Sequence, residues 1–210
     1  MTPTIEPTVF VLDDDAESRN SLVQLLSSSD FTVRAFESPS RFLQEVPPDQ
    51  PGCLVLDLCM PEMNGTEVQR HMLDRGQIMP TVIVTAYGTV QTTVLAMKQG
   101  AMDVIEKPYD PNMMVKCVHG LLAVANRKAQ DETVDEAIRQ KFERLTPRER
   151  EVFDQMVKGQ SSKETALNLG ICFRTAQLHR ERVFRKLEIE SPVELVSIAA
   201  VVARNPAPAS

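Results

Sequence analysis

Five short runs, TVFVL (8–12), TVRAF (32–36), CLVLD (53–57), TVIVT (81–85) and DVIEK (103–107), recur through the first half of the chain. They are rich in Val and Ile, and several are apolar throughout rather than alternating, as strands covered on both faces are. Helix-length segments separate them, with apolar side chains at helical spacing: Leu22, Leu25 and Leu26, then Val68, Met72 and Leu73, then Val90, Val94 and Met97. A last one runs from Asn112 past Leu122 and sets Val115, Val118 and Leu122 on one side. Strand and helix alternating five times require a parallel sheet wrapped by helices on both faces. The stripes are expected to face that sheet. Pro47-Pro48, Gly76, Gly88 and Gly100 stand where connections are needed.

The second half has another grammar. Residues 129–144, AQDETVDEAIRQKFER, are charged and read as a solvated, helical linker. No strand-like run follows. Thr146-Pro147-Arg148-Glu149 combines a Thr cap, Pro at the first helical position and Glu at the third, a capping box. Ser161-x-x-Glu164 repeats the device for a second helix that stops at Gly170. A third helix is expected from Phe173 to Leu187, a fourth from Pro192 to about Ala203, and an unstructured tail at NPAPAS.

Charge divides the chain in the same place. Residues 1–130 carry 10 Lys/Arg against 16 Asp/Glu, residues 131–210 carry 13 of each, and 174–186 hold five basic residues and one acid. Two domains with different partners fit that asymmetry. At 210 residues, 42% hydrophobic and 25% charged, the chain is neither fibrous nor wholly disordered. No run of 18 apolar residues can span a bilayer, and MTPTIEPT lacks the regions of a signal peptide. Cys53, Cys59, Cys117 and Cys172 form no C-x-x-C pair and read as reduced thiols of a cytoplasmic protein.

Chemistry in an open parallel sheet gathers beyond the carboxyl ends of its strands. Asp13 and Asp14 follow the first run, Asp57 ends the third, Thr85 ends the fourth, and Lys107-Pro108 ends the fifth. Carboxylates converging there repel one another unless a cation intervenes, and an oxygen-only donor set suits Mg2+ better than zinc. An ammonium and a hydroxyl on the same rim suit phosphoryl oxygens, so the set could form an acyl phosphate on an aspartate. Each feature alone has an ordinary reading. Asp-Asp after a strand is often a helix cap, a Thr in a buried strand is usually structural, and Lys-Pro is a common turn. Their conjunction, in order and each at a strand end, carries the weight.

The segments VFVLDDD, VLDLCMPEMNG, VIVTAYG and AMDVIEKPY resemble, over about residues 8–127, the receiver domain of two-component response regulators. The resemblance implies a doubly wound five-stranded, flavodoxin- or CheY-like α/β fold. It implies that Asp57 takes a phosphoryl group from a sensor histidine kinase. Asp13, Asp14, Asp57 and the backbone carbonyl of Cys59 would hold Mg2+, Lys107 would pair with the phosphoryl group, and Thr85 would swing toward it. The Lys107–Pro108 bond would be cis. Where the family usually carries an aromatic switch residue this chain has Val104, too small and stiff to act as a rotor. The signal is then expected to leave through the loop Ala86, Tyr87, Gly88, with Tyr87 either influencing hydrolysis of the acyl phosphate or inconsequential.

Residues 162–187 hold two helical segments around Gly170, a helix-turn-helix with Ala166, Leu169 and Ile171 inward. On the second segment Ala176, Val183 and Leu187 form a stripe for burial, and Thr175, His179, Arg182 and Lys186 form one able to donate to phosphates. Arg174, Gln177, Leu178 and Glu181 lie between, where they could reach base edges. A solvated basic helix in a small bundle is the bland alternative. The stretches LTPREREVF, KGQSSKETALNLGI and RTAQLHRERVFRKL resemble the LuxR/FixJ-type DNA-binding domain over about 143–204. That resemblance implies backbone contacts from Lys163, Thr175, His179, Arg182 and Lys186, and base reading by Gln177, Leu178 and Glu181. Ser162 departs from the family's usual Asn. Cys172 replaces its usual capping Ser, is a poor cap, and is expected to be a small buried hydrophobe rather than a redox group. Leu195, Val196, Ile198, Ala199 and Val202 of the final helix either pair two output domains or simply pack within one.

The whole then reads as a NarL/FixJ-class response regulator: receiver 1–127, helical linker 128–143, and a small all-α helix-turn-helix domain 144–210. Its implied partners are a sensor kinase, double-stranded promoter DNA, a second copy when phosphorylated, and RNA polymerase, with no membrane and no enzymatic turnover beyond its own phosphorylation. The competing enzyme reading is a haloacid-dehalogenase-like phosphatase with Asp13 as nucleophile and Asp15 as acid, which would leave Asp57 without a role. A docking module that works without phosphorylation is the third.

Overall fold

The computed structural model describes residues 7–86, 88–191 and 193–204, so the readings for Tyr87, for Pro192 as a helix start and for the tail at 205–210 lie outside the described residues. The chain forms two compact units, 1–129 and 130–210. In the first, β1 (Thr8–Leu12), α1 (Ala16–Ser27), β2 (Val33–Phe36), α2 (Pro39–Glu45), β3 (Gly52–Asp57), α3 (Gly65–Asp74), β4 (Thr81–Thr85), α4 (Val90–Lys98) and β5 (Ala101–Glu106) follow in order. The strands make one parallel sheet, β2-β1-β3-β4-β5, with Val11 of β1 beside Val55 of β3.

Alternation along the central strands builds two cores. Phe10, Leu12, Leu54 and Leu56 meet Phe42 of α2, Val68 and Met72 of α3 and Ala96 of α4 on one face. Val9, Val11, Val55, Val82 and Val84 meet Leu22 and Leu26 of α1 on the other, with Met114, Val118 and Leu121 of α5 (Pro111–Glu143). The central strands are buried at every position, while the edge strands β2 and β5 expose part of theirs, which is why TVRAF and DVIEK are the least apolar runs.

The connection after β2 keeps the alternation with a short helix, α2, started by Ser38, whose side chain accepts from the Arg41 N–H, and by Pro39 in the first turn. One expectation is corrected in this unit. The stripe Val90, Val94 and Met97 of α4 does not face the sheet. These residues are 81%, 46% and 46% exposed, and Ala96, on the far side of the helix, is the one fully buried residue of α4. Helical period fixes which residues share a side, not which side the sheet meets. Leu73 likewise lies outward, and Val115 and Leu122 are half-buried beside the buried Val118.

In the second unit α6 (Pro147–Val157), α7 (Ser162–Leu169), α8 (Phe173–Leu187) and α9 (Glu194–Arg204) enclose Leu145, Val152, Phe153, Met156, Val183, Leu187, Leu195 and Ile198. Capping boxes at Thr146 and Ser161 open α6 and α7, and Gly170 closes α7 at φ 63°, a conformation that favours glycine. The charged segment 129–144 is helical, but its end is not solvated. Ile138 and Phe142, one turn apart, pack on this core, with the Phe142 ring edge-on to Phe153 at 5.0 Å. Cys172 is also corrected: it is an exposed N-cap, its Sγ 2.9 Å from Thr175 Oγ1. All four thiols are unpaired in disulfides, and no described helix is long and apolar enough to cross a membrane.

Candidate functional site

Parallel strands of unequal length of loop deliver four side chains to one edge. Asp13 lies immediately beyond β1, Asp57 and Thr85 end β3 and β4, and Lys107 follows β5. β1 and β3 are neighbours, and the chain leaves β1 toward β2 on one side and reaches β3 on the other, so the carboxylates flank the switch point of the sheet. Asp13, Asp57 and Thr85 are 1%, 7% and 1% exposed.

Lys107 joins them. Its Nζ donates to Asp57 Oδ1 at 2.7 Å and to Asp13 Oδ2 at 2.9 Å. Asp57 Oδ2 accepts the backbone N–H of Cys59 at 2.7 Å, and Asp13 Oδ1 accepts that of Asp15 at 2.9 Å. The Lys107 N–H donates to the Thr85 carbonyl at 2.8 Å, which ties the ends of β4 and β5, and the Lys107–Pro108 bond is cis. Burial pushes the Asp57 carboxyl above its ordinary range, although the Lys107 ammonium and the Cys59 N–H pull the other way. Burial would lower Lys107, but its bonds to Asp57 and Asp13 outweigh it and hold the ammonium above the usual lysine value. The arrangement presents one basic, poorly solvated carboxylate beside a fixed positive charge.

Three neighbours escaped the sequence reading. Ser18 Oγ donates to Asp13 Oδ2 at 2.6 Å, and Arg19 Nη1 donates to the carbonyls of Asp13 and Asp14 at 2.8 and 3.1 Å, both one helical turn into α1. Gly65 opens α3 so close to Asp57 that a Cβ would stand 2.7 Å from the Asp57 carbonyl oxygen. Its signal, the glycine of MPEMNG, was visible in the sequence without its reason. Asp14 is exposed at the rim, and Asp15 caps α1, its Oδ1 accepting from the Ser18 N–H at 2.7 Å. Among the described residues no three His, Cys, Asp or Glu are gathered as a ready metal site. The donors at this edge are nonetheless all oxygen, the chemistry of a hard cation.

On α8 the exposed residues include Arg174, Gln177, Leu178, Glu181 and Arg182, while Thr175 and His179 are half-buried; Lys163 of α7 is exposed. The Nδ1 atom of His179 is buried without a hydrogen-bond partner among the described residues. Lys186 departs from the expected phosphate-donating stripe. Its Nζ lies 2.6 Å from Glu149 Oε2 and 2.9 Å from the Arg144 carbonyl, turned into its own unit. Glu149 is 2% exposed, and its Oε2 also accepts the Thr146 N–H at 2.8 Å. Burial alone would raise that carboxyl, but the bonds from Lys186 and Thr146 hold it below the ordinary value. The sequence reading saw Glu149 only as a cap.

A doubly wound sheet with carboxylates and a lysine at its switch point, in one chain with a helix-turn-helix, defines a two-domain regulator that couples a signal-receiving module to a DNA-binding one. Residues 9–119 match the response regulator receiver domain, and residues 143–199 match the luxR family of bacterial regulatory proteins. The chain belongs to the response regulators that join these two domains and regulate transcription. It is 37% identical over 189 residues to the transcriptional regulatory protein TdiR of Thauera aromatica, covering 90% of this chain and 83% of the relative. It is 35% identical over 196 residues to the transcriptional regulatory protein FixJ of Bradyrhizobium diazoefficiens, covering 93% and 96%. Among solved structures the response regulator StyR superposes with a TM-score of 0.82 at 36% identity, over 93% of this chain and 98% of that one. The family is one of transcriptional regulators rather than catalysts. Asp15, the acid of the phosphatase reading, caps α1, and the family is not one of phosphatases.

Proposed function

We propose that the protein is switched by phosphorylation of Asp57. The observation that carries this is the Lys107 ammonium held at 2.7 Å from the buried Asp57 carboxylate. A sensor kinase's phosphohistidine donates: its N–P bond breaks as an O–P bond forms at Asp57. Lys107, freed in part from Asp57, faces the incoming phosphoryl oxygens, and the Thr85 hydroxyl approaches them. Receiver domains of this kind typically bind Mg2+ at the acidic pocket. Here Asp13, Asp14, Asp57 and the Cys59 carbonyl would hold it, and when bound it supplies positive charge against the phosphoryl oxygens. Val104 lies half-buried against the core of its face, so relay is assigned to the segment after Thr85 rather than to a rotating ring.

The receiver is assigned to 1–127, the linker to 128–143 and the output domain to 144–210, in the cytoplasm. Val90, Val94, Leu95, Met97 and Met102 leave an apolar surface on α4 and β5, the surface assigned to a second copy after phosphorylation. Paired output domains then gain affinity for paired half-sites through effective concentration. Gln177, Leu178 and Glu181 are assigned to base edges and Lys163, Thr175, His179 and Arg182 to the DNA backbone, with contact to RNA polymerase at the promoter. Lys186 is withdrawn from the contact set because Glu149 holds it.

The test is incubation with acetyl phosphate and Mg2+, followed by mass spectrometry, light scattering and binding of selected promoter fragments. One phosphoryl group on Asp57, a doubled mass and tighter DNA binding are expected, all lost in Asp57→Asn. Equal mass and equal DNA affinity in wild type and Asp57→Asn would leave a docking module that works without phosphorylation.

A further inference from the structure

Phe173 opens α8 with half its surface, 51%, exposed. A phenyl ring loses more by facing water than any neighbour on that helix. It belongs to no core cluster and stacks on no other ring among the described residues. A single exposed apolar side chain would call for no explanation, but this one is in register with others. Helical geometry sets Phe173 one turn before Gln177 and two before Glu181, both exposed, with Leu178, 45% exposed, beside them. The ring therefore extends the proposed base-reading stripe to the amino-terminal tip of α8, the end from which recognition helices reach base edges.

The surroundings select the partner. Arg174, Arg182 and Arg185, all exposed, outnumber Glu181 on this helix, which suits a polyanion and not an apolar protein surface. Duplex DNA presents one apolar group in its major groove, the 5-methyl of thymine. We propose that Phe173 is a specificity-determining residue whose ring packs on a thymine methyl, so that the operator prefers thymine there. This rests on the base-reading assignment of α8. One helical turn, about 5.4 Å, against about 3.4 Å per base pair places that thymine roughly one to two base pairs from the position set by Gln177.

The full-length chain, treated with acetyl phosphate and Mg2+, is used to select duplexes from a random pool. Each thymine of the selected half-site is then replaced by deoxyuridine, which removes only the methyl. Wild type should lose about fourfold in affinity at one thymine, the worth of one buried methyl. Phe173→Ala and Phe173→Gln should bind the thymine and uracil duplexes alike at that position and keep wild-type affinity for random DNA. Gln177→Ala should retain the sensitivity there while losing selectivity at the neighbouring base pair. Retention of wild-type sensitivity in either Phe173 variant, or the absence of any methyl-sensitive position in wild type, overturns the proposal while leaving DNA binding intact. Recovery of no preferred sequence by wild type would overturn the base-reading assignment and this proposal together.

Discussion

At the scale of single residues the acidic pocket holds two opposed demands on stability. The folded Asp57 has a raised pKa because burial disfavours its charge, so the folded state gains relative to the unfolded below the ordinary carboxylate value and loses that gain as pH rises through the raised one. Asp57→Asn should therefore be more stable than wild type at pH 7, with the difference vanishing as pH falls below about 4, measured by urea denaturation. Lys107→Met should lose about 3 kcal/mol at neutral pH, since Asp13 and Asp57 would then face each other without a counter-charge. Glu149 shows the opposite sign. Its lowered pKa contributes stability above the ordinary carboxylate value that is lost as pH falls through the folded one. Lys186→Met should cost about 3 kcal/mol and flatten that acid limb, without the weaker salt dependence of DNA binding expected of Arg182→Ala. Asp13, Asp57, Thr85 and Lys107 were legible because each ends an apolar run. The direction of Lys186 was not, because its partner Glu149 is 37 residues away and reads locally as a cap.

Among the elements, the most legible were those whose ends carry chemistry of their own. Thr146, Ser161 and Gly170 marked α6 and α7 to within a residue, since capping is a local matter between a side chain and the next three amides. The seven-residue α2 went unread although Ser38-Pro39 announces it, because about two turns are too short to show a period. Helix α8 starts where expected but on Cys172, which makes no side-chain cap bond to the backbone. Cys172→Ser should stabilise the output domain by about 1 kcal/mol, observed as a higher urea midpoint for that transition. The orientation of α4 was illegible for a different reason. Its apolar stripe is genuine, but long-range packing of Ala96 against the sheet decides the helix's rotation.

For the molecule as a whole, the division into two units followed from a change of periodicity and of charge, both visible along the sequence, whereas the last turns of α5 joined the second core through Ile138 and Phe142. Those two apolar residues were submerged in a charged segment, and only the fold shows what they meet. Val94→Asp should leave monomer stability within about 0.5 kcal/mol, as an exposed substitution does, yet abolish the doubled mass after phosphorylation by light scattering. The shallow seating of α4 has a wider bearing. Ala96 is its one fully buried residue, whereas α1 buries Leu22 and Leu26 and α3 buries Val68 and Met72, so α4 commits less of the core. Its amides should trade hydrogen for deuterium sooner than those of α1 or α3, and sooner still once the pocket is charged. A wall so lightly seated is suited to move when a small chemical event changes the charge of the pocket.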